Sequence, residues 1–358
     1  MTGGSSSGGE RPLAEVFRRL IRRTGPISLA QFMAESNARY YTTRDPLGAG
    51  GDFVTAPEIS QMFGELIGLW LADMWIRAGR PDPVAYVELG PGRGTLASDA
   101  LRAMQRYGFA PEVHFVESSP ALAEIQLAAV PQAQIHGDLA SLPDDRPLLV
   151  VGNEFLDALP VRQLVRAAEG WRERMVGLDG DRFVYTIGAQ PMDAAIPPSW
   201  REGRQGTIIE TSPAAAAVVG EIAERLAAQG GCALLIDYGH TDNRAGSTIQ
   251  AVRAHRKVDP FSAPGEADLT AHVDFATLAR VSQARGAKWM GTPTQGQWLK
   301  ALGIDTRAEG LAARTPGQRG ELLAARDRLA ADDQMGQLFK VMGLAAADWP
   351  HGVGFDQE

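Results

Sequence analysis

The sequence predicts an α/β protein built on a doubly wound parallel sheet, with a helical N-terminal extension and an inserted β-meander. Three observations predict it. From Val84 onward, apolar strands alternate with helices, the pattern of right-handed parallel crossovers. Before Val84 the apolar periodicity is helical. After Pro160 it changes to short alternating runs, with Asp179-Gly180 as a hairpin turn.

Residues 1–11 form a Gly/Ser-rich tail, read as flexible; no apolar stretch in it suits a secretion signal. Leu13 to Arg23 is amphipathic and helical. Ser28-Leu29-Ala30-Gln31 has the spacing of a capping box and opens a second helix to about Arg39. Residues 40–59 read as a long loop containing Gly48, Gly50, Gly51 and Pro57. Its length and its Tyr40, Tyr41, Asp52, Phe53 and Glu58 mark it as a functional lid. A helix over 60–78 completes an extension spanning 12–80.

The sheet domain then covers 81–358, with insertions at about 160–206 and 239–272. Strands are expected at 84–90, 112–117, 133–137 and 147–152. Helices are expected at 95–107 and 120–129, and a short loop at 138–146. The meander occupies 162–165, 172–178 and 182–187, followed by a short strand at 207–210. A helix over 214–228 leads back to a core strand at 232–237. Residues 239–268, polar and punctuated by Gly and Pro, read as a second long loop. A helix over 273–285, a strand at 288–291, further helices and a strand at 337–343 end the chain.

Apolar content of 44% and charge of 22% are those of an ordinary globular protein with a sizeable core. The net charge of −8 and the lack of a basic run argue against nucleic acid and suit a cationic protein substrate. Cys232 is the single cysteine, inside an apolar strand, so neither a disulfide nor a cysteine metal site is available. The histidines show no metal-ligand spacing, and no metal is expected. Leu66 to Trp75 is too short for a bilayer and is interrupted by Asp73. The apolar face of residues 62–75 reads as core, ahead of a partner surface. These features point to a soluble, cytoplasmic protein, and they leave its oligomeric state open.

The most informative stretch is Glu88-Leu89-Gly90-Pro91-Gly92-Arg93-Gly94-Thr95-Leu96, between a strand and a helix. A dinucleotide fingerprint, G-x-G-x-x-G, would put its third glycine at Thr95. Here that glycine is Gly94, and Glu88 precedes the turn. E-x-G-x-G-x-G resembles the first motif of class I S-adenosylmethionine-dependent methyltransferases. That resemblance makes Glu88, Gly90, Gly92, Gly94 and Thr95 cofactor-binding candidates, with backbone passing close beneath the ligand.

Ligands of doubly wound sheets sit at the carboxyl ends of the strands. Glu117, a βα unit beyond the glycines, is placed to accept the ribose hydroxyls. Asp138 is placed either to accept an adenine amino group or to cap the next turn. The fourth strand runs into Asn153-Glu154-Phe155-Leu156-Asp157-Ala158-Leu159-Pro160. Buried polar groups of this density must be hydrogen-bonded or used.

Three segments together resemble the MidA-like methyltransferases: 40–65 with Gly51-Asp52-Phe53-Val54-Thr55-Ala56-Pro57-Glu58, Glu88 through Gly94, and Gly152 through Pro160. Asp268 through Phe275 is similar as well, and the likeness extends over roughly residues 12–350. It implies a class I methyltransferase (Rossmann-like) fold and S-adenosyl-L-methionine as cofactor. It also implies methylation of a protein arginine, the mitochondrial members being assembly factors of respiratory complex I. A guanidinium enters such a site as a cation and needs carboxylates to hold and orient it. Glu154 is the first catalytic candidate, with Asp157 or Glu58 as the second carboxylate and Asn153 orienting the site. Tyr41 and Phe53 would line the cofactor and wall off water. Two other readings remain: a cofactor-binding assembly scaffold without turnover, and a nicotinamide-dependent dehydrogenase, which the glycine spacing disfavours.

Overall fold

Apolar runs long enough to be buried on both faces build the sheet that carries the site. Its strands are β1 (Ala85–Leu89), β2 (Glu112–Val116), β3 (Gln134–His136), β4 (Leu148–Asn153), β5 (Gly231–His240), β6 (Lys288–Gly291) and β7 (Phe339–Ala345). They lie in the order β6-β7-β5-β4-β1-β2-β3, and the two-residue strand Val273–Asp274 also pairs with β5. β1 to β5 are mutually parallel, whereas β7 runs antiparallel to both β5 and β6. This is the doubly wound order with an antiparallel strand slotted between the fifth and sixth. The order reverses between β1 and β4, which opens the ligand crevice at their carboxyl ends.

The computed structural model describes residues 11–43, 54–254 and 256–355. They divide into two compact units. One comprises the N-terminal residues to Tyr40, Pro160–Thr211 and Ala245–Leu269; the other comprises Tyr41–Leu159, Ser212–Arg244 and Thr270 to the C-terminus.

In the second unit, alternate residues of each strand face opposite layers. Tyr86, Leu149, Val151, Leu234 and Ile236 pack with α1 (Gln61–Arg77) and α2 (Thr95–Gln105). Val87, Leu89, Val150, Ala233 and Leu235 pack instead with α3 (Pro213–Gln229) and α4 (Phe275–Ala284). Each fully buried aliphatic or aromatic side chain contributes roughly 1.5–3 kcal/mol to this core.

Ser60 starts α1 by accepting the Met62 N–H at 3.2 Å. The helix is buried from Met62 to Leu71 apart from Leu69, so its apolar face is core. Gly68 lets α2 approach: a Cβ there would lie 2.3 Å from the Ala100 carbonyl oxygen. Buried Glu65 on the same helix is held by Arg307 at 2.7 and 2.9 Å, and the two guanidiniums of Arg307 and Arg102 hold its pKa down against burial.

The first unit is built on the meander strands Arg162–Ala167, Gly170–Asp179 and Arg182–Pro191, joined by Ile208–Thr211 and by Ile27–Ser28. The strands run longer than the alternation suggested. Phe17 and Phe32 from the two N-terminal helices pack at 4.9 Å between ring centroids, and Phe183 of the meander stacks edge-on to Phe32 at 5.8 Å.

Three expectations about elements need correction. The second N-terminal helix spans Leu29–Thr43 instead of stopping near Arg39, and Ser28 Oγ accepts the Gln31 N–H at 3.0 Å. Ala56–Ile59, expected as loop, is a helical turn, with Pro57 near its start where a missing N–H costs nothing. The 239–268 segment holds the antiparallel pair Gln250–Arg253 and Arg256–Val258, which pairs with Asp268–Thr270. Its strands have too few apolar residues for alternation to register.

No helix among the described residues is long and apolar enough to cross a membrane. Among the described residues, no group of three or more His, Cys, Asp or Glu side chains is placed to hold a metal ion. Cys232 is buried, and burial pushes its thiol pKa up.

Candidate active site

The turn after β1 has a backbone that side chains tolerate poorly. Gly90, Gly92 and Gly94 take φ values of +57°, +57° and +79°. Gly94 is the left-handed N-cap residue of α2, so the first N–H groups of that helix open toward the turn. A Cβ on Gly90 would lie 3.0 Å from the Phe155 ring. Phe155 therefore backs the glycine turn from the loop after β4.

Glu88 braces the turn from inside. It is 3% exposed, accepts the Tyr86 phenol at 2.6 Å and takes a backbone N–H from Ala97. Burial outweighs both bonds and raises its pKa to about 8.

Glu117 stands where the sequence placed a ribose acceptor, at the end of β2. Its Oε1 accepts the Ser119 N–H at 2.7 Å and its Oε2 the Gln126 amide at 3.0 Å. The same Gln126 nitrogen donates to the Gly92 carbonyl at 2.9 Å, tying this acid to the glycine turn. Ser119 Oγ donates to the Tyr41 carbonyl at 3.3 Å, which brings Tyr41 beside Glu117. Asp138 is exposed and caps the turn Leu139–Ser141 by accepting the Ser141 N–H at 3.0 Å. Phe53 lies outside the described residues.

Across the crevice, Glu154 adopts φ +52°, a left-handed backbone that costs a non-glycine residue energy. Its N–H donates to the Ile236 carbonyl at 2.8 Å. Its Oε1 accepts the Ala56 backbone N–H at 3.1 Å and the Asn153 amide at 3.2 Å. Packed round by protein, its carboxyl has a pKa raised to about 7 by burial; the Ala56 N–H opposes the rise and Asp157 adds to it.

Asp157 follows the same logic. Burial lifts its pKa to about 6 against a bond from the Tyr238 phenol. Asp237, at 0% exposure, accepts the N–H groups of Leu156 at 2.9 Å and Asp157 at 3.1 Å on one oxygen, and that of Tyr238 at 2.9 Å on the other. Burial raises its pKa as well, followed by the charges of Asp157 and Glu154. Asp157 and Asp237 titrate as a pair and resist ionising together. Glu58 enters from the helical turn Ala56–Ile59, where its Oε1 accepts Thr95 Oγ1 at 2.5 Å.

The structure thus gathers Glu58, Thr95, Asn153, Glu154, Phe155 and Asp157 at the carboxyl ends of β1 and β4. Asp138 is engaged in capping on another strand. Asp237, Tyr238 and Gln126 are additions that sequence reasoning missed. A signal for Asp237 existed: an acid closing the apolar strand Ala233-Leu234-Leu235-Ile236 stands at the same sheet end as the other candidates.

A doubly wound sheet with this glycine turn, and acids at the ends of β1 and β2, defines a class I S-adenosylmethionine-dependent methyltransferase fold. Residues 66–292 match the family model described as "Putative S-adenosyl-L-methionine-dependent methyltransferase". The chain is 36% identical to the mouse protein named "Protein arginine methyltransferase NDUFAF7, mitochondrial", an alignment covering 95% of this chain and 86% of that one. The human protein of the same name is 35% identical, with 94% and 84% covered. A crystal structure of a Burkholderia thailandensis protein bound to S-adenosyl-homocysteine superposes with a TM-score of 0.84 at 29% identity, covering 96% and 94% of the two chains. The chain belongs to this family of S-adenosyl-L-methionine-dependent methyltransferases.

Its cofactor is accordingly S-adenosyl-L-methionine, and the residues fit that group. Three left-handed glycines leave a cradle without Cβ atoms, and the buried Asn153 Oδ1 has no partner among the described residues. The cytoplasmic location expected from the sequence is corrected: the curated relatives are named as mitochondrial proteins. Composition carries no information that could have separated the two.

Proposed function

We propose that this methyltransferase acts on an arginine side chain of a protein substrate, a respiratory complex I subunit or an assembly intermediate of it. The observation that carries the reading is the set of carboxylates gathered at one sheet end: Glu154 and Asp157, backed by Asp237, with Glu58 on the helical turn whose Ala56 N–H bonds Glu154. Burial raises the pKa of Glu154, Asp157 and Asp237 despite the charge of Arg328 near Glu154, and an arriving cation adds the counter-charge they are short of. A neutral nucleophile would gain little from them. The arginine methyltransferase name borne by the relatives agrees with this reading.

The bound cofactor supplies an electrophilic methyl group on a sulfonium. The glycine turn, braced by Glu88, and Glu117 would hold that cofactor. Glu154, with Asp157 or Glu58, holds the guanidinium in a fork and turns one nitrogen toward the methyl group. The nitrogen must shed a proton as it gains carbon, and a carboxylate with a pKa near 7 is suited to take it. Asn153 fixes the Glu154 carboxylate by donating a hydrogen bond from its side-chain amide. Tyr41 and Phe53 are assigned to the wall that excludes water.

The test is incubation of the purified protein with radiolabelled cofactor and a lysate from cells lacking the enzyme. Mass spectrometry of labelled bands should find methylarginine. Label on another residue type would overturn the arginine reading. A protein that binds cofactor yet labels nothing would be the assembly scaffold instead.

A further inference from the structure

The acid cluster contains two residues to which the chemistry above gives no direct part. From the geometry we infer that Asp237 and Tyr238, consecutive at the carboxyl end of β5, are positioning residues that hold Glu154 and Asp157 in their working orientation. This inference rests on the methyl-transfer reading above.

The loop after β4 has a difficult shape to hold. Glu154 sits at φ +52°, and an unsupported residue would relax out of that region. Three anchors from β5 prevent this. The Ile236 carbonyl accepts the Glu154 N–H at 2.8 Å. Asp237 Oδ2 accepts two successive N–H groups, from Leu156 and Asp157. The Tyr238 phenol donates to the Asp157 carboxylate. A backbone bond from Ala271 N–H to the Asp157 carbonyl at 3.0 Å closes the loop from the other side. The two oxygens of Asp237 accept three backbone N–H groups between them, which ties the loop after β4 to the end of β5.

The electrostatics agree with this arrangement. Glu154 is faced by Asp157, Asp237 and Arg328, and by the Ala56 N–H. Asp157 is faced by Tyr238, Asp237 and Glu154. Tyr238 meets His272 edge-on at 5.5 Å between ring centroids, and Lys340 lies opposite Asp237 in register on β7, with its Nζ turned to the Gln337 carbonyl. The Tyr238 phenol lowers the Asp157 pKa, so removing that phenol must raise it.

The test uses full-length Tyr238→Phe and Asp237→Asn proteins with the arginine peptide found by labelling. Tyr238→Phe should reduce kcat about tenfold with S-adenosyl-homocysteine affinity within twofold of wild type. The acid limb of its pH–rate profile should also move to higher pH, a change that a purely structural tyrosine would not produce. Asp237→Asn should speed amide hydrogen exchange at Leu156 and Asp157 by at least about tenfold. If Tyr238→Phe keeps the wild-type kcat and pH profile, or Asp237→Asn leaves exchange unchanged, the inference fails for that residue. If Asp237→Asn does not fold, exchange at Asp157 in Tyr238→Phe replaces it, with the same expectation of faster exchange. Should wild-type protein transfer no methyl group at all, the functional reading falls, whereas the exchange comparison still decides whether these residues hold the loop.

Discussion

Thr95 Oγ1 donates to Glu58 Oε1 at 2.5 Å, joining the first residue of the helix after the glycine turn to a helical turn 37 residues earlier in the chain. The bond makes the wall that carries Glu58 sensitive to the cradle beneath it. Thr95→Val keeps the shape and removes the donor, so Glu58 loses its anchor. Cofactor affinity, measured by calorimetry with S-adenosyl-homocysteine, should fall about tenfold, a loss of about 1.4 kcal/mol, with the melting temperature little changed. Unchanged affinity would mean that the two elements act independently.

Gly90 is closer to its neighbours than Gly94 is, with Phe155 against it. Alanine there meets the Phe155 ring at 3.0 Å and must also hold φ +57°. The left-handed conformation alone costs roughly 1–2 kcal/mol. Gly90→Ala should melt several degrees lower and lose S-adenosyl-homocysteine binding by more than tenfold. Adding Phe155→Ala should relieve the contact but not the backbone strain, so the double variant should recover only part of the stability. Full recovery would show that φ at this position is unimportant.

Glu154 combines the strained backbone, the bond from Ala56 and a pKa of about 7. Glu154→Gln preserves size and removes the charge that balances a guanidinium. Methyl transfer should drop at least about a hundredfold, with S-adenosyl-homocysteine binding intact. Retention of full activity with normal cofactor binding would remove Glu154 from the catalytic role.

Much of this site could be read from the chain because buried parallel strands leave a plain apolar signal. Val84 through Val87 and Leu148 through Val151 announce β1 and β4, and the glycines between Glu88 and Thr95 announce the turn. The two strands lie side by side at the point where the sheet reverses, so their following loops had to meet. The rest depends on contacts that sequence distance conceals. Asp237 lies 81 residues from Leu156, and nothing local links that strand-end acid to the loop. Ala56–Ile59 is a single helical turn, too short for periodicity to show. The hairpin at 250–258 is polar on most of its surface, so the usual apolar alternation is missing.

The acids of this unit also set how stability should vary with pH. Glu88, Glu154 and Asp157 have folded-state pKa values raised to about 8, 7 and 6, from ordinary values of 4.5, 4.5 and 3.8. At pH values below the ordinary ones, both folded and unfolded chains hold these protons, and the groups contribute no difference. Above them the unfolded chain releases its protons first, so the folded state binds more and stability falls as pH rises. The decline runs from about pH 4 and flattens only once the folded groups ionise, near pH 8 for Glu88. Glu88→Gln removes the group with the highest of these values, so its melting temperature should decline less than that of wild type between pH 6 and 8. Thermal melts of both proteins in buffers spanning pH 5 to 9 would measure this. Parallel curves would mean that the Tyr86 and Ala97 bonds keep Glu88 ionised against its burial.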